Sequence, residues 1–272
     1  MTRITEESSK YRHLEKMSVE ELTSNLNKED KTVALAIKKA LPELNTLIKA
    51  IVSKIENDGR LFYVGAGSGG RLSVLDVIEL PTTFGVSPDL FNVILAGGKE
   101  HLIEALEEKE DDVNAAWLML KEKKVSAKDI VIGISASGTT PFVLSGLKEC
   151  RKQGITTACI VSNPGSIIAA ESDIPVEVIT GPEFVTGSTR MKCGTAQKMI
   201  FDMISTSTMI KLGKVLDNQM VNVKLINDKI VDRAVKMLMN NTGITVYHEA
   251  KQLLIEHGSV KRALDHFNQI GK

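Results

Sequence analysis

Two glutamates in apolar surroundings are the residues of this sequence best placed for acid–base chemistry. Glu79 lies in the apolar segment 72–80, directly before Pro81, where we expect a helix to end. Burial and the negative end of a helix dipole both raise the pKa of a carboxyl group, which suits a general acid. A simpler role is that of a buried acid paired with a cation: Arg71, Arg190 or Lys192.

The second glutamate, Glu110, belongs to the acidic run "KEHLIEALEEKEDDVNAAWLML" at 99–120. We predict one amphipathic helix here because apolar residues recur at helical spacing. Its buried stripe consists of Leu102, Leu106, Val113, Trp117 and Leu120. Glu110 is the acid that falls on this stripe, so we expect its carboxylate to point inward as a general base or as the partner of a buried cation.

A glycine-rich loop, Gly65-x-Gly67-x-x-Gly70, joins an apolar strand to a helix. The spacing fits a dinucleotide fingerprint, which also requires an acidic residue at the end of the second strand. That strand ends in Ala96-Gly97-Gly98, and Asp89 lies before it. The sequence therefore disfavours a nicotinamide or flavin site.

A second loop, "GISASGTTPF", follows the third predicted strand and is rich in hydroxyl groups. Backbone N–H groups and the positive end of a helix dipole favour a bound phosphate at such a position. We predict phosphate-binding residues in both loops: Ser68 in the first, and Ser135, Ser137, Gly138, Thr139 and Thr140 in the second. The alternative is that both loops hold ordinary helix caps.

Short apolar runs alternate with helical segments between residues 60 and 180, which is typical of a doubly wound α/β domain. We predict a mainly parallel five-stranded sheet, with ligands at the carboxyl ends of its strands. Helical segments precede and follow the sheet, the first opening with a capping box at Ser18 and Glu21 and continuing as an amphipathic helix from Thr32 to Ile55. The predicted division is a helical arm, a central domain and a helical C-terminal segment: 1–44, 45–215 and 216–272.

The composition and charge of the chain limit the kinds of partner and the compartment that we expect for it. Lys plus Arg equals Asp plus Glu at 34 each, and aromatic residues make up 4% of the 272 residues, so we expect no nucleic acid partner. No segment is apolar enough to cross a membrane, and the polar N-terminus does not resemble a signal peptide. Three cysteines without CxxC spacing indicate buried thiols in a reducing compartment, so we expect a cytoplasmic protein.

A polar segment at 181–198 precedes the last apolar helix of the domain, and it carries more polar groups than a helix cap needs: Glu183, Ser188, Thr189, Arg190, Lys192 and Gln197. Together with the loops it resembles the N-acetylmuramic acid 6-phosphate etherases, members of the sugar isomerase (SIS) superfamily with a flavodoxin-like fold. The resemblance rests on five long motifs: "GRLFYVGAGSGGRLSVLD", "PTTFGV", "IGISASGTTPFV", "NPGS" and "GPEFVTGSTRMKCGTAQK".

The resemblance implies cleavage of the D-lactyl ether of N-acetylmuramic acid 6-phosphate in the recycling of cell-wall amino sugars. The family's catalytic glutamates match Glu79, as acid, and Glu110, as base, with the phosphate held by Ser68 and the loop from Ser135 to Thr140. The resemblance further implies no metal or redox cofactor, and a homodimer with sites near its interface.

Three departures from the family pattern affect this assignment. Ser68-Gly69 replaces Thr-Ser, Val77-Ile78 adds bulk before Glu79, and Asp202 replaces Asn. Two other functions stay open: a non-catalytic sugar-phosphate sensor, and an aldose–ketose isomerase that uses Glu183 as its base.

Overall fold

The computed structural model describes residues 3–103 and 107–270. Its centre is a five-stranded parallel sheet in the order β2-β1-β3-β4-β5. The strands are β1 (Leu61–Gly65), β2 (Phe91–Leu95), β3 (Ile130–Ser135), β4 (Thr156–Val161) and β5 (Ile174–Glu177). The predicted doubly wound α/β fold class is confirmed.

Ten α-helices within the described residues surround or follow this sheet. They are α1 (Val19–Lys39), α2 (Leu41–Glu56), α3 (Gly67–Phe84), α4 (Ala115–Glu122), α5 (Pro141–Lys152), α6 (Ile167–Ala170), α7 (Lys192–Lys211), α8 (Asp228–Thr242), α9 (Tyr247–His257) and α10 (Val260–Ile270). Short 3-10 helices cover Ile4–Glu6, Leu14–Lys16, Lys99–Leu102 and Glu107–Asp111, and a small antiparallel hairpin pairs β6 (Val215–Leu216) with β7 (Gln219–Met220).

The strands are apolar at consecutive positions because helices cover both faces of the sheet. Every residue of β1 and β3 is buried. One face packs on α5, where Phe62 and Val64 share a core with Phe142, Val143 and Leu147. This packing fixes the carboxyl ends of β1 and β3, from which the two predicted ligand loops leave the sheet.

The N-terminal helices divide at a proline. The predicted capping box is confirmed, since Ser18 Oγ accepts from the Glu21 N–H and the Glu21 carboxylate accepts from the Ser18 N–H. The predicted single helix from Thr32 to Ile55 is wrong: α1 ends at Lys39 and α2 begins at Leu41. Pro42 lies in the first turn of α2 and supplies no N–H to continue the preceding helix.

The predicted helix over 99–120 is also wrong. The described residues form 3-10 helices at Lys99–Leu102 and Glu107–Asp111, and an α-helix starts only at Ala115. Asp112 ends the irregular stretch, because its Oδ1 accepts hydrogen bonds from the N–H groups of Asn114 and Ala115. The proposed buried stripe fails with the helix: Val113 is 54% exposed and Leu102 is 36% exposed, while Leu106 lies outside the described residues.

A third correction concerns α3, which does not end before Pro81 but continues through it to Phe84. Glu79 is therefore not in the last turn of its helix. Its expected burial is wrong as well, because its side chain is exposed.

The described chain clusters into two compact units. The first comprises residues up to Val77 and Asp89–Ser205, and the second comprises Ile78–Pro88 and the chain from Thr206 onward. The second unit has its own core, formed by α8, α9 and α10 around Val235, Leu238 and Leu254. The predicted boundaries at 44 and 215 stay a prediction. No helix in the described part of the chain is long and apolar enough to cross a membrane.

Candidate active site

The glycine loop after β1 lies against the carboxylate of Glu110. Gly67, the first residue of α3, has a φ of 53°, which favours glycine. A Cβ at Gly67 would lie 2.8 Å from Glu110 Oε1. Glu110 is partly buried on the 3-10 helix Glu107–Asp111, and Ser68 is exposed in the first turn of α3. The structure therefore brings Glu110 and the predicted phosphate loop together, although by an irregular turn and not by the predicted helix.

The loop after β3 is a closed group of hydroxyls. Ser135 Oγ lies 2.8 Å from Thr140 Oγ1 and 3.2 Å from Ser137 Oγ, and it accepts a hydrogen bond from the Gly138 N–H. Thr139 Oγ1 donates to Ser137 Oγ at 3.1 Å. These bonds hold all the predicted residues of this loop in one arrangement.

The helix cap interpretation does not describe Thr140. It occupies the N-cap position of α5, yet its side chain makes no capping hydrogen bond to any described residue, because its hydroxyl faces Ser135. Pro141 takes the next position and has no N–H to satisfy. Among the described residues the positive end of α5 therefore has no side-chain cap from its N-cap residue, which leaves its backbone N–H groups available to an anion.

The two loops begin side by side. Gly65, the last residue of β1, is paired with Ile134 of β3. In a sheet of this strand order the crevice between β1 and β3 is the usual ligand position, because the connections leave these strands on opposite sides. The sequence and the topology thus select the same edge of the sheet.

The N-terminal residues 3–11 are held by hydrogen bonds at the same edge of the sheet. Thr5 is fully buried, its N–H donates to Asn163 Oδ1, and Asn163 Nδ2 donates to Thr5 Oγ1 and to the carbonyls of Ala136 and Ser137. Arg3 Nη1 donates to Thr139 Oγ1 at 3.4 Å. Asn163 and Arg3 were not among the predicted site residues, although Asn163 belongs to the "NPGS" motif.

Glu183 is a helix cap. Its Oε2 accepts from the Lys192 N–H and its Oε1 from the Cys193 N–H, both at 2.9 Å, at the start of α7. Only 1% of Glu183 is exposed. Since both oxygens are used by the backbone and the side chain is sealed, Glu183 is poorly placed to act as the base of an isomerase.

A buried ion pair lies beside this cap. Lys192 Nζ lies 2.7 Å from Glu29 Oε2, and both side chains are at least nine-tenths buried. Burial raises the pKa of the Glu29 carboxyl, but the hydrogen bond and the charge of Lys192 outweigh burial and hold that pKa below its ordinary value. Lys192 is thus paired with a carboxylate of α1.

The departures at Gly69 and Asp202 have simple structural accounts. A Cβ at Gly69 would lie 2.8 Å from Ile134 Cγ2 and 3.0 Å from Gln197 Oε1, so a serine here would require these side chains to move. Asp202 is exposed and pairs with Lys198 one turn earlier on α7. Neither change opens or removes the loop geometry described above.

Comparison with known proteins identifies the family. Residues 43–151 match the model of the glucokinase regulatory protein N-terminal SIS domain, and residues 113–207 match the SIS domain model. An N-acetylmuramic acid 6-phosphate etherase of Christiangramia forsetii is 52% identical over 261 residues, which are 96% of this chain and 95% of that protein. The chain belongs to the N-acetylmuramic acid 6-phosphate etherase family.

Further relatives agree with membership of the etherase family. The protein of that name from Bacteroides fragilis is 51% identical over 263 residues, 97% of this chain and 93% of that protein. Among solved structures, a phosphoheptose isomerase from Francisella tularensis has a TM-score of 0.53 and 17% identity, and covers 73% of this chain and 100% of its own. That structure shows the fold alone, and it confirms the SIS-type fold expected from the motifs.

Proposed function

We propose that this protein cleaves the D-lactyl ether of N-acetylmuramic acid 6-phosphate, yielding N-acetylglucosamine 6-phosphate and D-lactate for the recycling of cell-wall amino sugars. Etherases that are 51–52% identical over nearly the whole chain support this reaction. The observation that carries the proposal is the position of Glu110, whose Oε1 lies 2.8 Å from where a Cβ of Gly67 would be, at the phosphate loop.

The phosphate is proposed to bind between the two loops. Ser68 lies in the first turn of α3, and α5 begins at Pro141 without a side-chain cap among the described residues. The hydroxyls of Ser135, Ser137, Thr139 and Thr140 are already held by mutual hydrogen bonds, so little ordering is needed when the phosphate arrives. Gly138 N–H, which donates to Ser135 Oγ, completes this turn.

The proposed reaction is an elimination followed by a hydration. In the open-chain sugar the aldehyde acidifies the proton at C2, and the Glu110 carboxylate removes it. The electron pair forms a C2–C3 double bond as the C3–O bond breaks, and Glu79 protonates the departing lactyl oxygen. Water then adds at C3 and a proton returns to C2, so the sum is one water consumed per ether cleaved. Each proton transfer by a placed side chain is worth about 10²–10⁴ in rate.

A homodimer is part of the proposal because Glu79 lies on an exposed apolar face of α3. Leu75 is 43% exposed and Ile78 is 62% exposed, whereas the polar Ser73 and Asp76 of the same helix are buried. A helix with apolar residues outward and polar residues inward suits contact with a second copy. Such a contact would exclude water from the space around Glu79.

The cytoplasm is the proposed compartment. All three cysteines are free and buried. Burial raises the pKa of the Cys150 thiol to about 12 and those of Cys159 and Cys193 to about 11, so they stay protonated and unreactive at neutral pH. Structural thiols of this kind fit a reducing environment.

The first test is D-lactate release from N-acetylmuramic acid 6-phosphate by the wild type, Glu79→Gln and Glu110→Gln. We expect both variants to lose about 10²–10⁴ in kcat. Glu108→Gln is the matched control, since Glu108 is an exposed acid on the same turn as Glu110, and it should keep the wild-type rate. A folded wild type that binds the sugar phosphate without releasing lactate would favour the sensor.

The dimer has its own test in sedimentation velocity. Ile78→Asp should convert a dimer of 29.7 kDa chains into monomers and abolish activity. Ile255→Asp on α9 is the control, because Ile255 is 60% exposed and Ile78 is 62% exposed. A wild type that sediments as a monomer while turning over substrate would refute the dimer and leave the reaction standing.

A further inference from the structure

A buried amide on α7 lies at the crevice between the two loops. Gln197 is 4% exposed and belongs to the second turn of α7. Its Oε1 and Nε2 lie 3.0 Å and 3.2 Å from the position that a Cβ of Gly69 would occupy. The same position lies 2.8 Å from Ile134 Cγ2, on the strand residue that precedes Ser135. The amide is therefore placed where the first turn of α3 meets the end of β3.

The amide of Gln197 makes no hydrogen bond with any other residue in the described part of the chain. Its Oε1 and Nε2 are not among the polar atoms sealed from solvent without a partner, so the amide keeps contact with solvent at the crevice. An accessible amide without a hydrogen-bond partner among the described residues is available to pair with a ligand.

The hydrogen-bond donors and acceptors of an amide determine which ligand groups can satisfy it. A glutamine side chain has one carbonyl acceptor and two N–H donors. A phosphate dianion only accepts hydrogen bonds, so it would satisfy Nε2 and leave Oε1 unpaired. A sugar hydroxyl or an acetamido group both donates and accepts, and it can satisfy the whole amide.

We propose that Gln197 is a substrate-binding residue whose amide pairs with a hydroxyl or acetamido group of the sugar, beside the phosphate held by the loops. This inference rests on the proposed sugar-phosphate site. It assigns to α7 the recognition of the sugar body, while the starts of α3 and α5 hold the phosphate. Gly69 leaves room for the Gln197 amide, since a side chain at position 69 would occupy the same space.

The test separates sugar from phosphate by titration calorimetry with N-acetylglucosamine 6-phosphate and with inorganic phosphate. Gln197→Met keeps the length of the side chain and removes its polar atoms. We expect it to weaken sugar-phosphate binding about tenfold, the worth of one or two hydrogen bonds, and to leave phosphate binding unchanged. Gln252→Met, an exposed glutamine on α9, is the matched control and should bind both ligands as the wild type does.

Thermal unfolding without ligand supplies a second readout. An amide without a protein partner predicts a Tm for Gln197→Met equal to or above that of the wild type, because the substitution breaks no hydrogen bond within the described residues. Gln197→Asn, which keeps an amide but withdraws it by one methylene, should lose sugar affinity as well and covers the case that the methionine variant misfolds. Unchanged sugar affinity in both variants, or a lower Tm with unchanged affinity, would overturn the inference.

The outcomes also separate this inference from the proposed reaction. Sugar-phosphate binding that depends on Gln197, in a wild type that releases no D-lactate, would support the inference and refute the etherase reaction for this chain. D-lactate release by a wild type whose sugar affinity does not depend on Gln197 would refute the inference alone.

Discussion

Glu110 and Glu183 both lie beside the first residue of a helix, and they differ in what surrounds their oxygens. Glu183 is 1% exposed and accepts backbone N–H groups of α7 with both oxygens. Glu110 is partly exposed on a 3-10 helix and lies over Gly67, at the start of α3. The Glu183 carboxylate caps α7, whereas the Glu110 carboxylate lies at the crevice proposed for the ligand.

Residue type and position beside a helix do not by themselves make a carboxylate a catalytic base. A base needs access to its substrate, which a side chain sealed at a helix start does not have. The region around Glu183 is a structural junction, where the cap, Lys192 and Glu29 join α7 to α1. The region around Glu110 is the catalytic site that we propose.

The largest expected effect is at the junction. Lys192→Met should lower the free energy of unfolding by about 3–5 kcal/mol, because it leaves the Glu29 carboxylate buried without its main cation. Urea unfolding measures this loss. Lys198→Met is the control: its exposed pair with Asp202 should be worth less than about 1 kcal/mol. A similar loss in both variants would remove the distinction between a buried junction and the surface.

Glu183→Gln tests whether this residue is a cap. An amide keeps one acceptor and sets an NH₂ group against a backbone N–H, so we expect a loss of about 1–3 kcal/mol in the free energy of unfolding. In the folded variant kcat should fall by less than about tenfold. Full stability together with a kcat reduced by a hundredfold or more would make Glu183 the base and restore the isomerase.

Gly67→Ala tests the position of Glu110. A Cβ at this φ of 53° should cost about 1–2 kcal/mol, and its crowding of Glu110 Oε1 should lower kcat by about a hundredfold. Gly154→Ala is matched in backbone strain, with a φ of 69°, but no described atom lies within 4 Å of its Cβ position. We expect equal stability losses and an unchanged kcat in that control. Equal activities would show that Glu110 is not held against Gly67.

The smallest effect is a pH dependence of stability. The pKa of Glu29 is lower in the folded protein than its ordinary value of 4.5, so its ion pair stabilises the fold fully above that value. This contribution is lost as the pH falls through the lower folded pKa. Glu29→Gln should therefore unfold with a shallower dependence on pH in that acidic range, as measured by urea midpoints at a series of pH values. An unchanged slope would contradict the assignment.

Much of the fold could be predicted because it follows from local patterns. The five apolar runs became the five parallel strands, and Ser18 with Glu21 formed the predicted capping box. The positions of the two loops could also be predicted, since ligand loops follow strands β1 and β3 in this topology.

What the sequence did not predict depends on contacts between distant segments. Periodicity suggested a helix around Glu110, but Asp112 bonds the backbone at Asn114 and Ala115 and starts the helix later. Proline predicted the end of α3 at Pro81, yet the helix continues to Phe84. The role of Glu183 depends on the backbone of residues nine and ten positions later, which no periodic pattern encodes.

Hydrogen exchange at C2 of the sugar, followed by NMR in D₂O with purified Glu79→Gln and Glu110→Gln, tests directly whether Glu110 is the base. If Glu110 is the base, Glu79→Gln should still replace the C2 proton with deuterium while releasing no D-lactate, and Glu110→Gln should do neither. Exchange at the wild-type rate in Glu110→Gln would contradict this assignment, because the carboxylate beside Gly67 would then not be the group that removes the proton.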